Sequence, residues 1–303
     1  MKALLVMNPG SRAGKGKKLW SFWESRLRAG AVAFDLAVTT RVGHGVELAS
    51  GAKDYDTVVA VGGDGTINEA LDGVMQSARS DLRMGVLYSG TSPDFCKFHN
   101  IPIRPSDAVD ALTAGLSRKV DVGKITCSKN NGEKTTAHFG CGVNVGLGAS
   151  VARTSNRLRK FTGDVIGTCI AVLYSVVLTR PVDLEIVVDG LPQRLSRVNN
   201  LSVLKNPFIA SGLRLNLDLQ TDDGNLALVV VHGRTRMSIL SVLPGFYSGK
   251  AVDREDVVIT KCSQVSIASS KRTEIEFDGD PRGILPVDIK LLPRSLDLIG
   301  AST

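Results

Sequence analysis

The segment 62–66 reads Gly-Gly-Asp-Gly-Thr and directly follows the apolar run 57–61. Glycines between a strand and a helix let backbone N–H groups approach an anion, and the helix N-terminus adds the positive end of its dipole. A phosphate is therefore the expected ligand. Asp64 has no role in a plain turn but could hold a metal ion through water. A tight turn whose glycines only satisfy positive φ is the alternative.

A second segment with phosphate-binding character, residues 8–18, follows the first apolar run and contains glycines, a hydroxyl and four basic residues. A Walker A loop has four residues between its glycines and a Ser or Thr after its lysine. Here three residues separate Gly10 from Gly14, and glycine follows Lys15. The segment is therefore not a P-loop. Its basic side chains could bind phosphate or could simply be exposed to solvent at the start of a helix.

Short apolar runs alternate with amphipathic stretches in the first 120 residues, which is typical of a parallel sheet with crossover helices. The predicted strands are Ala3–Met7, Ala33–Thr39, Thr57–Val61 and Met84–Tyr88. The predicted helices are Lys17–Arg28, Gly45–Ala52, Ile67–Gln76 and Ser106–Ala114. The helix after the glycine-rich segment is expected to start at about Thr66. The pattern predicts an α/β domain.

After about Val120 the pattern changes to longer alternating segments separated by turn residues, which predicts antiparallel strands. These strands are Asp183–Val188, Arg197–Leu204, Leu226–His232, Asp256–Cys262 and Ser263–Ala268, with a helical interlude at about Gly163–Leu178. We expect residues 1–122 to form an α/β nucleotide-binding domain. Residues 123–303 should form a mainly antiparallel β-sandwich for the substrate, whose last strand could return to the first domain. A cleft between the domains would be the natural ligand site.

The net charge of +7 is concentrated in two short stretches. Residues 1–50 hold 8 basic and 3 acidic residues, and residues 151–180 hold 5 and 1. A nucleic-acid surface would be spread more widely and interleaved with aromatic residues, which make up 5% of the chain. A nucleic-acid partner is therefore not expected.

The five cysteines are scattered and never form a C-x-x-C pair, so neither a disulfide framework nor a zinc site is predicted. No export signal is recognisable, which favours a cytoplasmic protein. The longest near-apolar stretch, Val165–Thr179, has 15 residues. A bilayer needs roughly 20, so this stretch indicates a buried helix or one that touches a membrane.

Gly62–Thr66 followed by Glu69 resembles the signature of the diacylglycerol-kinase catalytic domain, which sphingosine kinases share. NAD kinases and 6-phosphofructokinases share only its Gly-Gly-Asp-Gly. Further elements that resemble the family, in the same order, are Asn8–Ser11, Gly90–Phe95 with Ile101-Pro102, Val120–Gly123, Thr221–Gly224 and Phe277–Asp280. NAD kinases would not be expected to carry the last two together. The chain therefore resembles lipid kinases of this family.

The resemblance implies a phosphofructokinase/NAD-kinase-like first domain and an ATP- and Mg²⁺-dependent kinase that phosphorylates a hydroxyl of a diacylglycerol-like or related lipid. The nucleotide-binding residues that it implies are Asn8, Pro9, Ser11, Gly62, Gly63, Asp64, Gly65, Thr66, Glu69, Gly90 and Thr91. It also implies that Asp64, Asp94 and Asp121 hold Mg²⁺ largely through water. Each of these follows or ends a predicted strand, so they could converge on the carboxyl edge of the sheet.

In the second domain, Asp223 and the backbone of Asn225 resemble the family's structural cation site, although Asp-Asp-Gly-Asn is also a good hairpin turn. By resemblance, Asp278 is the candidate general base for the lipid hydroxyl, and an ordinary turn aspartate is the alternative.

Two departures from the family's pattern affect the expected site. Ser92 and Pro93 stand where the family has Gly and Asn, and proline removes a backbone donor from a nucleotide-facing loop. Asp280 stands for Glu, which shortens the carboxylate by one methylene. We expect activity with an altered nucleotide or substrate preference, and the sequence does not choose between ATP and GTP.

Arg153, Arg157, Arg159 and Lys160 precede the apolar stretch, an arrangement that suits an enzyme extracting lipid from an anionic inner membrane surface. A solvated helix face followed by a core helix is the alternative. A homodimer through exposed strand edges is also conceivable. Two other functions stay open: a soluble-metabolite kinase of the NAD-kinase type, and a regulator that binds nucleotide or lipid without catalysis.

Overall fold

The computed structural model describes residues 1–77, 79–129, 131–162, 171, 174–175, 180–209, 213–232 and 256–300. The chain divides into two compact units. The first consists of Met1–Val122 together with Pro293–Thr303, and the second is Gly123–Leu292. The end of the chain therefore belongs to the first unit.

The sheet of the first unit is parallel, with strand order β2-β1-β3-β4. Its strands are β1 (Lys2–Met7), β2 (Ala33–Val38), β3 (Thr57–Gly62) and β4 (Arg83–Tyr88). The end of the last strand, β16 (Asp280–Ile299), pairs in parallel with β4. β1, β3 and β4 are almost entirely buried, as continuous apolar strands in a helix-covered sheet should be.

The helices of the first unit are α1 (Lys15–Ala29), α2 (His44–Ser50), α3 (Asp64–Gln76), α4 (Asp94–Phe98) and α5 (Pro105–Ala114). All except α4 start and end within a few residues of the predicted bounds. A 3₁₀ turn, Ser11–Gly14, precedes α1. α3 begins at Asp64, two residues earlier than predicted, so the aspartate itself opens the helix. The short α4 was not predicted. Trp23, Leu27 and Leu112 are central members of the core between helices and sheet.

The second unit is built mainly from antiparallel strands. They are the second half of β5 (Ser117–Ser128), β6 (Lys134–Phe139), β7 (Gly142–Gly146), β8 (Val182–Val188), β9 (Leu191–Leu204), β10 (Phe208–Ile209), β11 (Leu213–Arg214), β12 (Leu226–His232), β13 (Val257–Cys262), β14 (Gln264–Ala268), β15 (Glu274–Phe277) and most of β16. The first part of β9 pairs with β8 and its second part with β7 and β12. β16 pairs first with β15 and then with β14. Both long strands contribute side chains to an apolar core that they share with most other strands of the unit.

The second unit contains the helix α6 (Leu147–Thr162), which ends before the predicted interlude begins, and the described residues 171, 174 and 175 inside the interlude are also helical. A helix over the basic stretch was given only as the alternative to a membrane-binding role, and the predicted helix was placed on the apolar run. Most of the interlude, including most of Val165–Thr179, lies outside the described residues. No helix in the described parts of the chain is long and apolar enough to cross a membrane.

The four cysteines that the structure describes are free thiols. Three of them, Cys96, Cys127 and Cys262, are buried. Burial raises the pKa of the Cys262 thiol to about 12. These residues therefore belong to the core and not to a reactive or metal-binding site.

Candidate active site

The loops that follow β1, β3 and β4 meet at Ser11, Gly63 and Gly90. A Cβ atom placed on Gly63 would lie 3.1 Å from the Cα of Gly90 and 3.5 Å from the Oγ of Ser11. A Cβ atom on Gly90 would lie 2.6 Å from the Cα of Gly63. The backbones of the second and third loops therefore touch, and a side chain at either glycine would force them apart.

The glycines of the segment 62–66 do not adopt positive φ. None of Gly62, Gly63 and Gly65 has a positive φ, and that of Gly63 is −97°. Two of these glycines instead allow neighbouring groups to come close to the backbone. A Cβ atom on Gly62 would lie 2.2 Å from the Oγ1 of Thr66, whereas a Cβ atom on Gly65 would meet nothing within 4 Å. The alternative of a plain positive-φ turn is therefore wrong. Gly65 presents the first turn of α3 to open space.

Two helix N-termini lie at the carboxyl ends of adjacent strands. α3 begins directly after β3, with Gly63 as its N-cap, and the 3₁₀ turn and α1 follow β1. β1 and β3 pair directly. Exposed Lys15, Lys17 and Lys18 lie in the first turn of α1. Helix N-termini and lysines together provide positive charge for an anion.

Asp64 and Asp94 form a pair of neighbouring carboxylates. Asp64 accepts hydrogen bonds from the Tyr88 hydroxyl (3.0 Å) and from the backbone N–H of Phe95 (3.4 Å). Burial and the negative charge of Asp94 raise the pKa of Asp64 to about 7. A divalent cation would relieve this repulsion, and carboxylates are suitable ligands for Mg²⁺. The residues present therefore fit the implied cation.

No group of three His, Cys, Asp or Glu side chains in the described residues is arranged to hold a metal directly. The expectation of contact largely through water is compatible with this finding. Asp121, the third predicted carboxylate, is buried on β5 and accepts a hydrogen bond of 2.8 Å from the backbone N–H of Arg294. Its role in holding Mg²⁺ stays a prediction.

Glu69, a predicted nucleotide-binding residue, is hydrogen-bonded within the protein. Its two carboxylate oxygens accept hydrogen bonds from the backbone N–H groups of Gly43 (2.7 Å) and Gly45 (2.9 Å). Both donors lie at the start of α2. Glu69 therefore links α3 to α2, and its role in nucleotide binding stays a prediction.

Asn8 and Pro93 form hydrogen bonds with backbone N–H groups close to them in the chain. The side-chain oxygen of Asn8 accepts the N–H of Gly10 at 2.9 Å, which closes a turn after β1. Pro93 is the N-cap of α4, and its carbonyl accepts the N–H of Lys97 at 2.8 Å. The proline that departs from the family's pattern thus starts the helix that carries Asp94.

Two features at the carboxyl edge of the parallel sheet were not predicted from the sequence. Tyr88, at the end of β4, donates its hydroxyl hydrogen to Asp64. Ser89 and Ser92 have buried hydroxyls for which the described residues supply no hydrogen-bond partner. Polar residues at the carboxyl end of a buried strand are the signal that could have revealed them. Hydroxyls with unused hydrogen-bonding capacity beside Gly90 and Thr91 are suited to a polar ligand.

In the second unit, Asp278 lies between β15 and β16 with a φ of +48°. Its carboxylate accepts the backbone N–H groups of Gly140 (2.8 Å), Cys141 (2.9 Å) and Gly142 (2.9 Å). Burial raises its pKa despite these three donors. Oδ1 accepts two of the bonds and Oδ2 one, so Oδ2 keeps the greater capacity to accept a proton. The role of general base stays a prediction.

Asp280 and Glu276 flank this turn. Asp280 is half-buried and lies 3.8 Å from the guanidinium of Arg282. Glu276 is buried and accepts hydrogen bonds from the Asn144 amide (2.6 Å) and from the backbone N–H of Gly279. Burial raises the pKa of Glu276 to about 7. The three carboxylates of this region therefore differ: Asp278 is held by backbone donors, Glu276 is buried in the core, and Asp280 is more open.

A lysine side chain lies at the predicted structural cation site. The ammonium group of Lys205 lies 2.7 Å from Oδ1 of Asp223 and 3.2 Å from the backbone oxygen of Asn225. These are the groups that were expected to hold a metal ion. Lys205 could not be associated with them from the sequence because it is far away along the chain and has no motif around it.

The basic stretch before the apolar segment is described only in part. Arg153 forms an ion pair with Glu274. It also lines a cavity of about 330 Å³ with Arg180 and Arg272. The side chains of Arg157, Arg159 and Lys160 lie outside the described residues.

Comparison with known proteins identifies the family. Residues 2–125 match the model of the diacylglycerol kinase catalytic domain, and residues 141–300 match that of the YegS C-terminal NAD kinase beta sandwich-like domain. The chain belongs to the diacylglycerol-kinase catalytic-domain family, and its curated relatives are named diacylglycerol kinase or putative lipid kinase.

Two curated relatives are named diacylglycerol kinase. The one from Mycobacterium tuberculosis (strain ATCC 25618 / H37Rv) is 26% identical over 249 residues, which cover 82% of this chain and 78% of that protein. The one from Staphylococcus aureus (strain MRSA252) is 24% identical over 302 residues, which cover 98% and 91%.

Solved structures share the fold. A crystal structure of a diacylglycerol kinase from Bacillus anthracis str. Sterne has a TM-score of 0.70 at 19% identity and covers 99% of this chain and 96% of its own. Yeast NADH kinase complexed with NADH has a TM-score of 0.56 at 11% identity, with coverages of 100% and 84%. At these identities the likeness extends to the fold alone.

Proposed function

We propose that this protein is an ATP-dependent lipid kinase that transfers the γ-phosphoryl group to a hydroxyl of a diacylglycerol-like or related lipid. The observation that carries the proposal is the meeting of Ser11, Gly63 and Gly90 beside the paired carboxylates Asp64 and Asp94. Phosphoryl transfer depends mainly on positioning and on neutralising charge, and this edge of the sheet supplies groups for both.

The nucleotide phosphates would lie against the first turn of α3 and the loop after β1. The space beside the Cα atom of Gly65 is open, so an anion could approach the first turn of α3 there. Lys15 and its basic neighbours add charge near the N-terminus of α1. The hydroxyls of Ser89 and Ser92 are further candidates for contacts with the nucleotide.

Asp64 and Asp94, together with Asp121, would hold Mg²⁺ largely through water. The cation would supply positive charge that offsets the charge of the phosphates. Tyr88 and the backbone of Phe95 fix the orientation of the Asp64 carboxylate by hydrogen bonding to its two oxygens.

Asp278 is the proposed general base. The lipid hydroxyl oxygen forms a bond to the γ-phosphorus, its proton passes to Oδ2 of Asp278, and ADP leaves with the electrons of the broken P–O bond. Asp280 is the alternative acceptor, since backbone donors already occupy much of the Asp278 carboxylate. The basic stretch 153–160 would bring the protein to an anionic membrane surface.

A lipid-panel assay tests the proposal. Labelled ATP or GTP is supplied with micelles of diacylglycerol and related lipids, and in parallel with NAD, at varied Mg²⁺. We expect a labelled lipid and no labelled NAD. Labelled NAD alone would indicate a soluble-metabolite kinase. Nucleotide binding without any labelled product would indicate a regulator, and either result refutes the proposal.

Asn substitutions identify the base. We expect Asp278→Asn to lower kcat by about 10²- to 10⁴-fold if its carboxylate takes the proton, with Asp280→Asn much closer to wild type. The opposite order would transfer the role to Asp280. Thermal unfolding of both variants is the control, because Asp278 also holds the turn at residues 140–142.

A further inference from the structure

Lys205, which directly follows β9, has a completely buried side chain, with 0% of its surface exposed. Its ammonium group donates hydrogen bonds to the backbone oxygen of Gln220 (2.7 Å), to Oδ1 of Asp223 (2.7 Å) and to the backbone oxygen of Asn225 (3.2 Å). An ammonium group has three hydrogens to donate, and this turn provides three oxygen acceptors for them.

The turn at residues 220–225 is organised around this contact. Oδ2 of Asp223 accepts the N–H of Gln220 at 3.0 Å, and Oδ1 accepts the N–H of Asn225 at 3.0 Å. The side-chain amide of Asn225 donates to the backbone oxygen of Asp223 at 2.9 Å. Gly224 closes the turn with a φ of +74°. Both sides of the Asp223 carboxylate are therefore fixed.

One carboxylate and two backbone carbonyls are also suitable ligands for Ca²⁺ or Mg²⁺. A divalent cation would have to share these three oxygens with an ammonium group that lies within hydrogen-bonding distance of each. The two positive charges would repel each other in a buried position. The residues present therefore do not fit a divalent cation while Lys205 is in place.

We propose that the ammonium group of Lys205 is the permanent cation of this turn and replaces a structural metal ion. The second unit then needs no divalent cation at residues 220–225. Unlike a bound ion, this cation cannot dissociate, so chelators and changes in metal concentration leave the turn unaffected. The inference concerns the folding of the second unit and does not depend on the proposed reaction.

The stability of the nucleotide-free, full-length Asp64→Asn protein provides the first test, because this substitution weakens the proposed Mg²⁺ site of the first unit. The midpoint of thermal unfolding is measured with EDTA, with millimolar Mg²⁺ and with millimolar Ca²⁺. We expect the same midpoint in all three. A midpoint that falls in EDTA and is restored by Mg²⁺ or Ca²⁺ in this variant would show that an ion stabilises the second unit, and the proposal would fail.

Removal of the lysine provides the second test. Lys205→Ala leaves Asp223 buried without its cation, and we expect the midpoint to fall by roughly 10 °C. The space vacated by the side chain lets a divalent ion reach the three oxygens, so Ca²⁺ or Mg²⁺ should restore part of the loss. In equilibrium dialysis with ⁴⁵Ca²⁺, the variant should bind one more ion than the wild type.

Two further variants serve as controls. Lys205→Met fills the same space without charge, so its midpoint should fall and should not respond to Ca²⁺. Lys261 forms an exposed ion pair with Asp218 at 2.7 Å, and Lys261→Ala should change the midpoint little. A Lys205→Ala protein that is as stable as the wild type, or that gains neither stability nor an ion from Ca²⁺, would overturn the proposal.

Discussion

Gly65→Ala separates the ligand-binding role of the glycine-rich segment from its packing role. A Cβ atom at Gly65 meets nothing within 4 Å, and the residue lies in the first turn of α3 without positive φ. Alanine is favoured over glycine within a helix by roughly 0.5–1 kcal/mol. We therefore expect the free energy of unfolding of the variant to equal or slightly exceed that of the wild type.

The same substitution should weaken nucleotide binding. If the phosphates lie against this turn, the new methyl group enters their space, and overpacking of this kind costs about 1–3 kcal/mol. Since 1.4 kcal/mol corresponds to a factor of ten, the dissociation constant for ATP should rise about 5- to 150-fold. Calorimetric titration with ATP and urea unfolding measure the two effects on one preparation.

Gly90→Ala is the matched comparison. Its Cβ atom would lie 2.5 Å from the Tyr88 hydroxyl oxygen and 2.6 Å from the Cα of Gly63. The loops would have to separate even without nucleotide, so we expect a loss of about 1–3 kcal/mol in the free energy of unfolding. Wild-type affinity for ATP in Gly65→Ala would refute the placement of the phosphates, and wild-type stability in Gly90→Ala would refute the close packing of the loops.

The remaining predictions concern two carboxylates. Glu69→Ala should lower the free energy of unfolding by about 1–3 kcal/mol in urea, because two backbone donors at the start of α2 lose their acceptor, while Glu47→Ala, which removes an exposed ion pair with Arg41, should change it little. A stable Glu69→Ala protein with a greatly raised KM for ATP would instead support a role of Glu69 in the nucleotide site. The raised pKa of Asp64 means that the folded protein binds this proton more tightly than the unfolded chain, so the stabilisation is fully present below about pH 4 and is lost progressively as pH rises to about 7. The stability of Asp64→Asn relative to the wild type should therefore increase between about pH 4 and pH 8 without Mg²⁺; a constant difference across this range would contradict the burial of this charge.

The elements of the first unit could be predicted from the sequence because local patterns determine them. β1, β3 and β4 are continuous apolar runs, and the glycines after β3 mark the junction with α3. A helix at the position of α6 was given only as an alternative, because an apolar run of similar length follows it and gave the stronger signal. In each case the prediction depended on residues within one segment.

The roles of single polar residues could not be predicted in the same way. Glu69 follows the glycine-rich segment by a few residues, yet its partners, Gly43 and Gly45, lie before β3. Lys205 directly follows β9, and Asp223 lies in the turn before β12. Tertiary packing decides which donor forms hydrogen bonds with a half-buried carboxylate. A sequence motif shows only that the carboxylate is present.

Asp64 and Asp223 differ in how their charges are compensated. Burial and the neighbouring Asp94 raise the pKa of Asp64, so the folded chain leaves this site with more negative charge than it compensates. Burial acts in the same direction on Asp223, but hydrogen bonds from Lys205 and from the backbone N–H groups of Gln220 and Asn225 outweigh it and lower the pKa. A cation from solution would therefore relieve repulsion beside Asp64, whereas beside Asp223 the chain already provides an ammonium group. For these two carboxylates, the opposite directions of the pKa shift follow from whether a cationic side chain is hydrogen-bonded to the carboxylate.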